Sequence, residues 1–125
     1  MCNRPELSDL DLKGIEVAAV DLETWDPDLK TKGSGAIISD GKNSYVVGIA
    51  VATHKQTLYF PIRHKHKSQN IDPKLTWRVL NKKLFQNSNI KKVFHNAMYD
   101  VCWIRAESGL MPQGVLLDTM VAASL

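Results

Sequence analysis

The 125-residue chain is 44% hydrophobic, enough for one modest domain with a core, and no run approaches the ~18 apolar residues of a membrane span. Its formal net charge is only +3, but residues 1–29 hold eight acids against two bases, while residues 54–92 hold ten Lys and Arg against Asp72 alone. Cys2 and Cys102 are too distant to suggest a disulfide framework, and "MCNRPELSDLD" lacks the apolar segment of a signal peptide, so a reducing cytoplasmic setting is expected.

In chain order, the first element is the run Ile15 to Leu22, rich in Val and apolar on both faces, which reads as a central strand. "DPDLKTKGSGAIISDGKN" carries Asp, Pro, Gly and Lys and reads as a long surface loop. "SYVVGIAVAT" and "TLYFPIR", separated by "HKQ", predict an antiparallel hairpin, and "RHKHKSQN" a charged loop. "DPKLTWRVLNKKLFQNSN" predicts a helix with Asp72 as N-cap, Pro73 at the first helical position, and Trp77, Leu80 and Leu84 on its apolar face. "KKVFHNA" reads as a short strand and "MYDVCWIRAESG" as a helix closed by Gly109. "LMPQGVLLD" is a loop with a short extended piece, and "TMVAASL" begins a further helix. This order predicts a single α/β layer with a mixed sheet, as in ribonuclease H-like domains, with no domain boundary inside residues 1–125.

Two carboxylates, Asp21 and Glu23, close the first strand one residue apart. Residues i and i+2 of a strand share a face, so the pair can converge just beyond the sheet. Carboxylate oxygens at one rim suit Mg²⁺, and paired divalent ions are a common solution to phosphodiester hydrolysis. A bare D-x-E also arises by chance. Asp100 in "HNAMYDVCWI" has Tyr99, Val101, Trp103 and Ile104 around it, which predicts burial of an acid with no Lys or Arg before Arg105; a first-turn acid at a helix start is the alternative. Asp118 in "VLLDTM" fits an N-cap for the last helix. His64 and His66 fit either a metal site or a solvated, phosphate-touching loop. His95 fits a general base or a structural role, and Trp77 and Trp103 fit the core better than a base-stacking platform. The basic residues from Arg63 to Lys92 suit steering of nucleic acid as well as a solvated surface.

"VDLET", "HNAMYD" and "LDTMVAASL", in this order, resemble the first two motifs and following segment of DEDD-type 3′–5′ exonucleases. The likeness is to the proofreading domain of phage-type family A DNA polymerases, and "YVVGIAVAT" with "YFPIRH" is similar to those members as well. It spans about Ile15 to Leu125. The resemblance implies that Asp21, Glu23 and Asp100 are catalytic ligands of two divalent ions, Mg²⁺ or Mn²⁺. It also implies that Leu22, Thr24, Asn96 and Tyr99 line the path of a single-stranded 3′ end. Asp118 matches a residue usual in the family that is not a metal ligand.

The family's third motif, Tyr-x-x-x-Asp or His-x-x-x-x-Asp, lies on a later helix and is not within these 125 residues. Residues 1–125 are thus expected to be a C-terminally truncated, partial exonuclease domain of a bacterial or phage-infected cell's cytoplasm, with the remainder of a polymerase chain as partner and no membrane. Alone, the chain is expected to bind metal weakly, to cleave DNA poorly or not at all, and to leave apolar sheet surface uncovered. The alternatives are a ribonuclease D-like RNA-trimming enzyme and an inactive nucleic-acid-binding fragment.

Overall fold

Alternation of buried and exposed residues defines the first strand, β1 (Val17–Trp25), in the computed structural model, which describes residues 4–38, 43–65 and 69–124. Ala18, Val20 and Leu22 are buried, whereas Val17, Ala19, Asp21 and Glu23 face outward. The expectation of a strand covered on both sides is therefore corrected. The apolar run is continuous in sequence, but period-2 geometry sends half of it to an open face where Val17 is 45% exposed.

Strands β2 (Tyr45–Ala52) and β3 (Thr57–Pro61) form the predicted hairpin, and β4 (Lys91–Phe94) and β5 (Leu116–Asp118) complete a five-stranded sheet ordered β3-β2-β1-β4-β5. The β1–β2 and β2–β3 pairs are antiparallel and the β1–β4 and β4–β5 pairs parallel, so the sheet is mixed as predicted. Between Glu23 and Thr24 the register against β2 shifts by one residue, a bulge at the end of the strand that carries the carboxylates. Pairing of β1 with β4 ends at Ala19–Val93, which leaves the last part of β1 free of that neighbour.

The segment read as a loop after β1 contains two single-turn helices, α1 (Leu29–Lys32) and α2 (Gly35–Ile38). Turns this short have no apolar periodicity to announce them. Helix α3 (Pro73–Leu80) begins as predicted, with the Asp72 carboxylate accepting the Leu75 N–H at 2.9 Å. The helix then widens into a π-helical turn at Asn81–Phe85, where the Gln86 N–H reaches the Asn81 carbonyl at 2.9 Å. That widening buries the adjacent Leu84 and Phe85 together. Helix α4 (Ala97–Ser108) ends at Gly109, whose φ of 85° is the left-handed C-cap conformation. Helix α5 (Thr119–Ser124) follows β5 directly.

Phe60, Phe85, Phe94, Leu80, Leu84 and Ile104 make the centre of the core, with Trp77 and Trp103 also buried. Each such side chain contributes about 1.5–3 kcal/mol of transfer free energy. Arg63 and Glu107 tie the hairpin to α4 through a 2.6 Å ion pair, and Glu107 also accepts Trp77 Nε1–H at 3.1 Å and the Val46 N–H at 2.6 Å. Among the described residues no helix is long and apolar enough to cross a membrane.

Candidate active site

Asp21 and Glu23 stand on the open face of β1, opposite Ala50 and Gly48 of β2. They share a face as the spacing requires. The Glu23 carboxylate is held from the side: Tyr59 of β3 donates its hydroxyl to Oε2 at 2.8 Å, and His64 Nε2 lies 2.6 Å from the same hydroxyl. The Tyr59 ring crosses β2 at Gly48, where a Cβ would overlap the phenol oxygen. Burial, with the hydrogen bond to Glu23, raises the Tyr59 pKa, so the phenol is a donor throughout the physiological range. His64 therefore belongs to a hydrogen-bonded set with Tyr59 and Glu23; Cys2, His66 and Lys67 lie outside the described residues.

Asp100 is 3% exposed, in the first turn of α4. It makes no cap. Its carboxylate instead faces the Leu22 backbone N–H, on the part of β1 that β4 does not reach, while its Oδ2 is buried without a hydrogen-bond partner. Its pKa is pushed up to about 7, first by burial and then by the charge of Asp21. The two motifs are thus brought together across the β1–α4 junction. The Leu22 side chain itself is in the core, at 8% exposure.

Asn96, at the N-cap of α4, is the only non-glycine with positive φ among the described residues, at φ 74° and ψ 66°. Asn is one of the few residues that visit this region. The strained turn is held by Asp118, which accepts the Asn96 and Ala97 N–H groups, each at 3.0 Å, as well as the Met120 N–H at 2.9 Å. Burial pulls the Asp118 pKa upward, but backbone N–H groups of Ala97, Asn96, Met120 and Val121 outweigh it, and the net shift is downward. The predicted cap for α5 is present. Its second task, at the start of α4, has no local sequence signal.

Thr24 and Tyr99 also meet. Their hydroxyls are 2.7 Å apart, and Tyr99 donates to Asp26 Oδ2 at 3.0 Å. Asp26 in turn accepts the Gly35 N–H, at 3.0 and 3.2 Å to its two oxygens, which anchors α2 beside the site. Sequence reasoning passed over Asp26 and Tyr59, because only the fold brings them to their partners. His95 is exposed, with Nδ1 at 2.9 Å from Thr119 Oγ1. One expectation is corrected: Lys92, counted with the steering cations, is fully buried and donates to the Asn87 and Gln113 carbonyls at 2.6 and 2.7 Å. Lys65, Lys74, Arg78, Lys82 and Lys91 are exposed.

The donor set tests favourably for a hard divalent cation. Asp21, Glu23 and Asp100 offer only oxygens, and the buried, unpartnered Asp100 Oδ2 is an acceptor with nothing yet to accept. Among the described residues, however, no three of His, Cys, Asp and Glu already close around one ion. Glu23 leans toward Tyr59 on the β3 side, and Asp100 stands on the α4 side.

The sequence model of a family described as 3′–5′ exonuclease matches residues 6–125. No curated protein matches the chain. Among solved structures, RNase D of Trypanosoma brucei in complex with GMP superposes with a TM-score of 0.66 and 18% identity, over 90% of this chain and 30% of that one. The EXO domain of Aedes aegypti Nibbler gives 0.63 and 18%, over 94% and 49%. Brucella melitensis NrnC bound to pGG gives 0.60 and 19%, over 91% and 46%. The same NrnC with bound Mg²⁺ and the same RNase D in complex with RNA U12 match at 0.59 and 0.58, with 16% and 19% identity over 91% and 86% of this chain, and 46% and 32% of those. The chain spans less than half the length of each, and at these identities they share with it a ribonuclease H-like fold.

Proposed function

The chain belongs to the 3′–5′ exonuclease family, and from that premise we propose that residues 1–125 carry the first two motifs of a metal-dependent nuclease that removes 3′-terminal nucleotides as 5′-monophosphates. The observation that carries this reading is Asp100: a buried carboxylate with an oxygen left over, beside Asp21, at the end of a strand that already holds Glu23. Asp21, Glu23 and Asp100 would hold divalent ions, Mg²⁺ or Mn²⁺. When bound, such ions supply the charge that activates water and stabilises the leaving oxygen. The chain's own residues do the rest. Thr24 and Tyr99, fixed to each other and to Asp26, present a rigid polar edge for the terminal nucleotide, and Asn96, pinned by Asp118, sets the start of α4 from which Asp100 projects.

The motif order supports single-stranded DNA, and the proofreading domain of a family A polymerase, as the context. The solved RNase D, bound to GMP and to RNA U12, and NrnC, bound to pGG, support an RNA-trimming reading equally well. Two measurements decide. Mn²⁺ titration followed by electron paramagnetic resonance should show weak binding that is lost in Asp21→Ala and Asp100→Ala; unchanged binding in either variant would overturn the site. In the protein that carries the full domain, 5′-labelled DNA and RNA strands should shorten from the 3′ end with mononucleotide release. The faster of the two assigns the sugar, and cleavage surviving Asp21→Ala would remove the mechanism.

A further inference from the structure

We propose that Tyr59 is a positioning residue for Glu23, an assignment that rests on the reading of Glu23 as a cation ligand. Glu23 is an exposed side chain on an open sheet face, where a glutamate would otherwise sample several rotamers. Here it does not stand alone. The Tyr59 hydroxyl, 2.8 Å from Oε2, takes one carboxylate oxygen and leaves Oε1 for a cation.

The polarity of the arrangement follows from counting protons. An ionised carboxylate only accepts, so the single phenolic proton goes to Glu23. The contact between Tyr59 and His64 Nε2, at 2.6 Å, must then be donated by the imidazole, so Nε2 carries a proton. His64 is itself clamped: its N–H donates to Asn70 Oδ1 at 2.8 Å and its carbonyl accepts from Asn70 Nδ2 at 2.9 Å. Its ring stands at 77° to that of Tyr59, edge-on. Donation runs from His64 to Tyr59 to Glu23, from the loop after β3 across β2 to β1, while Asn70 fixes the His64 backbone by a reciprocal pair of bonds. Gly48 makes the crossing possible, because any side chain there would occupy the place of the phenol. A ligand held before the ion arrives loses little further entropy on binding, and such outer partners commonly change metal affinity about 10–100-fold.

The test measures Mn²⁺ affinity of the 125-residue chain by electron paramagnetic resonance in wild type, Asp21→Ala, Tyr59→Phe, Glu23→Gln and the Tyr59→Phe/Glu23→Gln double variant. Tyr59→Phe is expected to weaken binding about tenfold, and to add nothing further once Glu23→Gln is present, since Tyr59 acts through that carboxylate. Wild-type affinity in Tyr59→Phe, or losses that simply add in the double variant, would overturn the proposal. If Asp21→Ala binds Mn²⁺ like wild type, the cation site itself fails, independently of Tyr59.

Discussion

Asp118 holds the backbone N–H of Asn96 at 3.0 Å across 22 residues of chain. This bond, with its twin to Ala97, fixes the one left-handed non-glycine turn among the described residues, and with it the start of the helix that carries Asp100. Replacing Asp118 by Ala removes the acceptor of the Asn96, Ala97 and Met120 N–H groups and should lower the melting temperature by a few degrees. Because the Asp118 pKa is lowered from 3.8, its charge stabilises the fold above that pH and the benefit disappears in acid. Thermal melts of wild type and Asp118→Asn should differ at pH 7 and converge as the pH falls below about 4.

Asp100 titrates in the opposite sense. Its pKa is raised from 3.8 to about 7, so the folded state holds this proton more tightly than the unfolded chain. The protonated group favours the fold at low pH, and that contribution is lost as the pH rises through about 7. Asp100→Asn, which cannot ionise, should be more stable than wild type at pH 8 and similar to it at pH 4. At about 1.4 kcal/mol per pKa unit, the difference at pH 8 is on the order of 4 kcal/mol, readable by urea denaturation in metal-free buffer.

Glu107 faces three donors at once, from Arg63, Trp77 and Val46. Glu107→Ala removes a largely buried carboxylate and leaves the Trp77 and Val46 N–H groups without it, while Arg63, one-third exposed, keeps only the Val46 carbonyl; the cost is about 2 kcal/mol. Glu107→Gln keeps the shape and should cost less. Denaturant midpoints with unchanged slopes would identify a loss of stability rather than a change of fold.

Much of this was legible in local pattern. Asp72, Pro73 and the Trp77–Leu80–Leu84 stripe announce α3, because capping and apolar periodicity are both short-range. The Asp21/Glu23 pair likewise needs only the two-residue period of a strand. What was not legible depends on distant chain segments meeting. Asp118 capping α4, Tyr59 reaching Glu23 over Gly48, and Lys92 turning inward to two carbonyls have no neighbours in sequence to signal them. The short helices after β1 were hidden for a different reason: their composition reads as loop, and α2 is held by Asp26 and by contact with α4.

Tyr99→Phe tests the edge proposed for the terminal nucleotide. The change removes a hydroxyl that links Thr24 to Asp26 and should cost about 1 kcal/mol of stability. It should also weaken binding of a fluorescent single strand several-fold by anisotropy, more than Trp77→Phe, which lies in the core. Equal effects of the two would argue for a general loss of fold rather than a local one.

Lys92 offers a practical consequence. Its ammonium is enclosed under β4, burial lowers its pKa, and both of its bonds run to main-chain carbonyls of separate loops. An amine-reactive label applied to the native protein should therefore mark the exposed lysines within minutes and spare this one. The rate at which Lys92 finally acquires the label, followed by peptide mass spectrometry, becomes a clock for opening of the whole sheet. That clock can be read without denaturant, and in any variant above.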